Sequence, residues 1–173
     1  MSGLSYPRRL VGASLKLAEG TLLVDAPWYR VDYAEIIGHG EDDFQRAADN
    51  LFSWRAHRAA HVRVDGKPSA GEVVQLHFGP TVSPCRIISV EHSRHRAVLV
   101  YGTMHGHIEC GEEAFIIELN SESEVIGRCV AFSQHSWWLA RLFKGPSRIV
   151  QRWATKQYVR GMGRDLENVV VGR

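Results

Sequence analysis

Residues 97–119 read AVLVYGTMHGHIECGEEAFIIEL. Two runs of strand character flank a polar centre. On the incoming run, Ala97–Thr103, a period of two puts Leu99, Tyr101 and Thr103 on one face. On the outgoing run, Glu113 shares a face with Phe115, Ile117 and Leu119, while Glu112 faces the other way with Ala114, Ile116 and Glu118. The stretch Met104–Glu112 is the loop between them. A hairpin is therefore expected at the middle of the chain, with other elements of the same kind around it.

Upstream, Trp28–Ile37 alternates Tyr29, Val31 and Tyr33 against Arg30 and Asp32, and reads as a half-buried strand. A helix over 41–61 follows. Glu41, Asp42 and Asp43 lie in its first turn and Arg55, His57, Arg58 and His61 near its end, so both ends complement the helix dipole. Its apolar stripe centres on Leu51. Strands are expected again within 72–132, at Val73–Phe78, Cys85–Glu91, Ala97–Thr103, Glu113–Leu119 and Val125–Phe132. A C-terminal helix over 136–160 is broken at Gly145-Pro146, because proline suits the first turn of a new helix. Residues 1–26 read as an irregular lead-in or an edge strand. This order predicts one α+β domain over 1–173, with an antiparallel sheet packed on a long C-terminal helix.

Composition narrows the function classes. A net charge of +2 gives no footprint for nucleic acid or an anionic membrane. No run approaches the ~20 apolar residues of a membrane span. Three cysteines without CxxC spacing point to reduced thiols, and the N-terminal residues lack the apolar run of a signal peptide, so a cytoplasmic protein is expected. There is no GxSxG, P-loop or GxGxxG string.

Several side chains suggest chemistry. Glu113 stands on an apolar strand face, where an unpaired carboxylate is costly and its pKa rises, which suits a general acid or base. Arg86, on a strand face with Ile88 and Val90, would pair with a carboxylate such as Glu113 or with an anionic ligand. Tyr101 and Thr103 could place hydroxyls beside it. Trp54 and His57 occupy neighbouring helix surface and are candidate ligand contacts. His105 and His107 alternate as a metal pair would, but a tetrahedral site needs more ligands than this loop offers, so no metal and no cofactor are expected. His107 stays as a ligand-binding candidate. Lys144, Arg148, Arg152, Lys156 and Arg160 recur at spacings of four and form a basic stripe.

The strings SYPRRLVGAS, IIGHGEDDFQRAADNLFSWRAHRAAHVRV, SPCRIISV, YGTMHGHIECGEEAF and AFSQHSWWLARLFKGPSRIVQRWATKQYVRGM resemble uncharacterised protein family 0548 over almost the whole chain. The resemblance implies a fold similar to the START and birch-allergen-like (SRPBCC) superfamily, in which a curved antiparallel sheet grips a C-terminal helix and encloses a cavity. It carries no activity to transfer. Where the family usually reads leucine-proline-glycine-histidine-proline, this chain has Met104-His105-Gly106-His107-Ile108, so His105 is particular to it.

The expected function is a pocket protein for a small apolar molecule, with cofactor-free acid–base chemistry (cyclisation, isomerisation or elimination) carried by Glu113, Tyr101 and Arg86. Trp54, His57, Thr103 and His107 would contact the ligand. A first alternative is a non-catalytic interaction protein using the basic stripe, or a homodimer built around Trp137 and Trp138. A second is a metalloenzyme centred on His105 and His107.

Overall fold

The computed structural model describes residues 3–22, 28–107, 109–135 and 146–164. Among the described residues seven strands form one antiparallel sheet in the order β1-β7-β6-β5-β4-β3-β2. They are β1 (Tyr29–His39), β2 (Arg63–Asp65), β3 (Val73–Phe78), β4 (Thr81–His92), β5 (Arg96–Thr103), β6 (Glu109–Leu119) and β7 (Glu124–His135). The helices are α1 (Ala13–Ala18), α2 (Gly40–Phe52), α3 (Arg55–Ala59) and α4 (Pro146–Met162). The fold is the expected α+β arrangement, an open curved sheet against a C-terminal helix. Among the described residues no helix is long and apolar enough to cross a membrane.

The apolar runs of β5 and β6 are explained by burial on both faces. The inner face carries Leu99, Tyr101, Phe115 and Ile117 against α2, α3 and α4. The outer face carries Val98, Val100, Ala114 and Ile116, with Val130 and Phe132 beside them, and all are buried. The N-terminal segment covers this outer face. A 3-10 turn at Arg8–Leu10 and helix α1 lie over β6 and β7, and Leu4 bridges to Met104. Of the segment expected over 1–26 as an irregular lead-in or edge strand, residues 3–22 form a packed layer. Apolar spacing concealed this, because a helix of six residues is too short to show a period.

The helix expected over 41–61 is two helices. Trp54 has φ 62, a left-handed conformation rare for a bulky residue, and the chain turns there between α2 and α3. Its indole Nε1 donates to the Gly66 carbonyl at 2.8 Å, which holds the ring inward. Leu51 is fully buried as the stripe requires. Asn50 then ties α2 to the end of α4, donating to the Met162 and Arg164 carbonyls at 2.8 and 3.0 Å. Gly161 lets α4 approach α3, since a Cβ there would stand 2.6 Å from that of Ala59. Strand β2 was not foreseen, being three residues long. Residues 136–145, including Trp137, Trp138 and Lys144, lie outside the described residues.

Candidate functional site

The β-ladder registers set one row across the inner face: Val31, Ala131, Glu113, Tyr101 and Ile87, from β1 to β4. The row beside it is Tyr33, Cys129, Phe115, Leu99 and Val90. Glu113 therefore emerges at the middle of the sheet with aromatic and apolar neighbours, below the helices. The Tyr101 hydroxyl donates to Glu113 Oε2 at 2.8 Å, and the Cys129 thiol donates to Oε1 at 3.3 Å. Among the described residues no cation pairs with this carboxyl.

Burial pushes the pKa of Glu113 up to about 7, and the two donors only partly counter it. The same burial, joined by the charge of Glu113, raises the phenols of Tyr101 and Tyr158 and the thiols of Cys129 and Cys85. The cluster is thereby held in neutral forms, with Glu113 the member that changes charge near pH 7.

Helices α3 and α4 close the cluster from above. His57, 0% exposed, projects from α3 into a cage of rings. Its centroid is 4.8 Å from Trp54, 4.9 Å from Phe115, 5.0 Å from Tyr158 and 5.8 Å from Tyr101. Neither imidazole nitrogen has a hydrogen-bond partner among the described residues. Burial, followed by the charge of Arg58, lowers its pKa to about 3, so the ring is neutral. An unpartnered buried imidazole among apolar rings is costly to hold.

Glu113, Tyr101, Trp54 and His57 are thus brought together. Cys129 and Tyr158 join them. Cysteine in a strand reads as a small core residue, so nothing in the sequence marks Cys129 as a donor. Tyr158 could have been found from its spacing with Thr155, Val159 and Met162, all buried.

Arg86 is not part of the cluster. A bulge at Ile88 shifts the β4–β5 register between Ile87 and Ser89. It sends Val90 to the inner face but leaves Arg86 on the outer one, level with Gly102 and Glu112. Its guanidinium donates to the Gly71 carbonyl at 3.0 Å. Thr103 has a connecting role: its hydroxyl accepts from the Gly111 amide at 2.8 Å and lies 2.6 Å from Ser5 Oγ. His107 accepts from the Glu109 amide at Nδ1, 2.9 Å away, and burial lowers its pKa to about 4. His105 is exposed. Among the described residues no three His, Cys, Asp or Glu side chains converge as metal ligands would.

Glu112 lies on the face opposite Glu113, as expected, but is buried there by the N-terminal segment rather than solvated or bonded to the loop. It accepts from the Tyr6 hydroxyl (2.7 Å), the Gly12 amide (2.8 Å), and the Ser14 amide and hydroxyl (3.0 and 2.6 Å). Gly102 makes the Tyr6 contact feasible, since a Cβ there would lie 2.1 Å from the Tyr6 hydroxyl.

At the edge of the sheet an open groove of about 440 Å³ runs between β1 and α4, lined by Val31, Asp32, Tyr33, Arg152, Trp153 and Lys156. Val31 also ends the row that contains Glu113. Of the basic stripe, Arg152 is exposed, Lys156 stands 5.5 Å over the Tyr33 ring, and Arg160 donates to Glu35 at 3.2 Å. The side chain of Arg148 lies outside the described residues.

The fold is shared with solved structures of distant sequence. The hypothetical protein jhp0584 from Helicobacter pylori is similar at TM-score 0.57 and 11% identity, over 94% of this chain and 95% of its own. The di-domain ARO/CYC StfQ from the steffimycin biosynthetic pathway is similar at 0.53 and 10% identity, over 79% of this chain and 49% of its own. Protein BH1534 of Bacillus halodurans is similar at 0.51 and 13% identity, over 76% and 96%. No curated protein has significant sequence similarity to the chain. An open curved antiparallel sheet against a C-terminal helix is the fold that the motif resemblance implied. The model of the family described as Domain of unknown function (DUF1990) matches residues 13–161, and the chain belongs to that family.

Proposed function

We propose that the protein binds a small apolar molecule between the sheet and α4 and moves protons on it with Glu113. The observation that carries this reading is the Glu113 carboxyl itself: half-buried on an apolar strand face, without a cation among the described residues, and held by one phenol and one thiol. A structural carboxylate in such a place is ordinarily given a cation or several amides. With a pKa near 7 both its forms are accessible at neutral pH, as proton abstraction and return require.

Tyr101 holds Oε2 in place and stabilises the ionised form by its hydrogen bond. Trp54, His57, Phe115 and Tyr158 supply the apolar walls, with the free His57 nitrogens offering one polar contact to a ligand. The reactions suited to one carboxyl and no cofactor are cyclisation, isomerisation and elimination. Sharing a fold with an ARO/CYC protein of a biosynthetic pathway is consistent with that range.

The test is extraction and mass spectrometry of protein purified from its own host. An apolar small molecule is expected to accompany it, to remain bound to Glu113→Gln, and to be turned over only by the unsubstituted protein. A protein that carries no such molecule and does not bind the neutral apolar probe N-phenyl-1-naphthylamine would set the reading aside.

A further inference from the structure

The buried cluster leaves the charge pattern of the β1–α4 groove unexplained. Its wall is apolar and aromatic: Val31, Tyr33 and Trp153, the last 41% exposed, with its ring parallel to His61 at 6.0 Å. Two cations stand on it, Arg152 and Lys156, one helical turn apart and so on adjacent surface. Both nearby carboxylates are already engaged. Asp32 accepts from Arg128 at 2.8 Å through each oxygen and from Arg30 at 2.9 Å, and Glu35 accepts from Arg160 and from the Tyr33 hydroxyl. Arg152 and Lys156 have no ion-pair partner among the described residues and are the surplus charge of the groove.

The groove also points inward. Val31 pairs with Ala131, and Ala131 with Glu113, so the groove wall lies two strands (~10 Å) from the carboxyl on the same face. In that row the intervening side chain is only an alanine. Beyond it the interior holds no cation among the described residues, and a second anion there would face Glu113. An anionic group would therefore be accepted at the groove and refused inside.

We infer that the ligand is an amphipathic anion, a ring-sized apolar body with one carboxylate or similar head, seated with its head on Arg152 and Lys156 and its body directed along Trp153 and Tyr33 toward Glu113. This rests on the proposed binding between the sheet and α4, and adds the ligand's charge and its orientation. A head partly removed from water by an aromatic wall gains more from two cations than it would on an open surface.

Two fluorescent probes with the same body separate the possibilities. 8-Anilinonaphthalene-1-sulfonate carries an anionic head, and N-phenyl-1-naphthylamine is its neutral counterpart. In the double variant Arg152→Glu/Lys156→Glu, affinity for the sulfonate should fall roughly tenfold or more, while that for the neutral probe stays within about twofold. Both substituted residues are exposed, and retained binding of the neutral probe reports an intact fold. In the unsubstituted protein, raising salt should weaken only the sulfonate. If charge reversal leaves the sulfonate unchanged, or weakens both probes equally, the anionic ligand class is overturned while the proposed binding stands. If neither probe binds the unsubstituted protein, both fall.

Discussion

On the outer face of the sheet the Glu112 carboxylate receives four donors from Tyr6, Gly12 and Ser14, whereas one residue later, on the inner face, Glu113 receives one phenol and one thiol. Both side chains belong to β6, Glu112 buried and Glu113 half-buried. The pleat alone sends them to opposite sides. Glu112 is satisfied and fastens the N-terminal layer to the sheet, so its removal is a structural injury. Glu113 is under-satisfied, so its charge is expensive, and that expense places its titration near neutrality. Two identical side chains in sequence thus have different work, decided by how many donors reach each.

The largest effect should come from Glu112→Ala. It strands a phenol, two amides and a hydroxyl in a buried setting and should cost about 3–5 kcal/mol in chemical denaturation, with earlier proteolysis of residues before β1. A cost below about 1 kcal/mol would erase the contrast between the two carboxylates.

Glu113→Gln should act through pH. The folded-state pKa of Glu113, about 7, lies above its ordinary 4.5. The stability it contributes is therefore fully present below pH 4.5 and is lost as pH rises through 7. The loss is about 3 kcal/mol across that window. The glutamine variant should lack this decline and be at least as stable as the parent at pH 8. Parallel stability–pH curves for the two proteins would show that Glu113 is not held in its neutral form.

His57→Phe sharpens the comparison from the other side of the cluster. With its folded-state pKa lowered to about 3 from 6.5, His57 loses stability as pH falls below 6.5, by about 1.4 kcal/mol per unit. The phenylalanine variant should be the more acid-resistant protein in thermal melts between pH 6 and 4, and equal melting of both would argue that the imidazole is solvated.

The smallest expected effect is that of Ser14→Ala, which removes one of the four donors to Glu112. A loss of about 1 kcal/mol is expected, measurable by urea denaturation. A loss as large as that of Glu112→Ala would mean that the hydroxyl alone anchors α1.

Much of this arrangement was legible from residue order. The alternation in YGTMHGHIECGEEAF placed Glu113 with Phe115 and Ile117, and Tyr101 with Leu99, and the ladders keep these faces. Arg86 was misplaced because one extra residue in a strand inverts every later side chain, and the bulge at Ile88 leaves no mark in a run that reads CRIISV. Trp54 had the helical spacing to continue α2. Its left-handed backbone follows from the Gly66 carbonyl, contributed by a turn twelve residues away. Cys129 entered the site for the same reason: its partner is on another strand.

Sequence by itself determined the long strands, that Glu113 lies with Phe115 and Ile117 and Tyr101 with Leu99, and that the strings match a known family. These rest on periods of two and on local backbone rules, which act within a few residues. Tertiary structure alone decided that Glu112 is the clasp and Glu113 the carboxyl with two donors, that His57 lies among four rings without a hydrogen-bond partner among the described residues, and that Arg152 and Lys156 face an aromatic groove. Those outcomes depend on donors and charges brought from distant parts of the chain. A carboxylate's role is set by what surrounds it, and residue order does not record its surroundings.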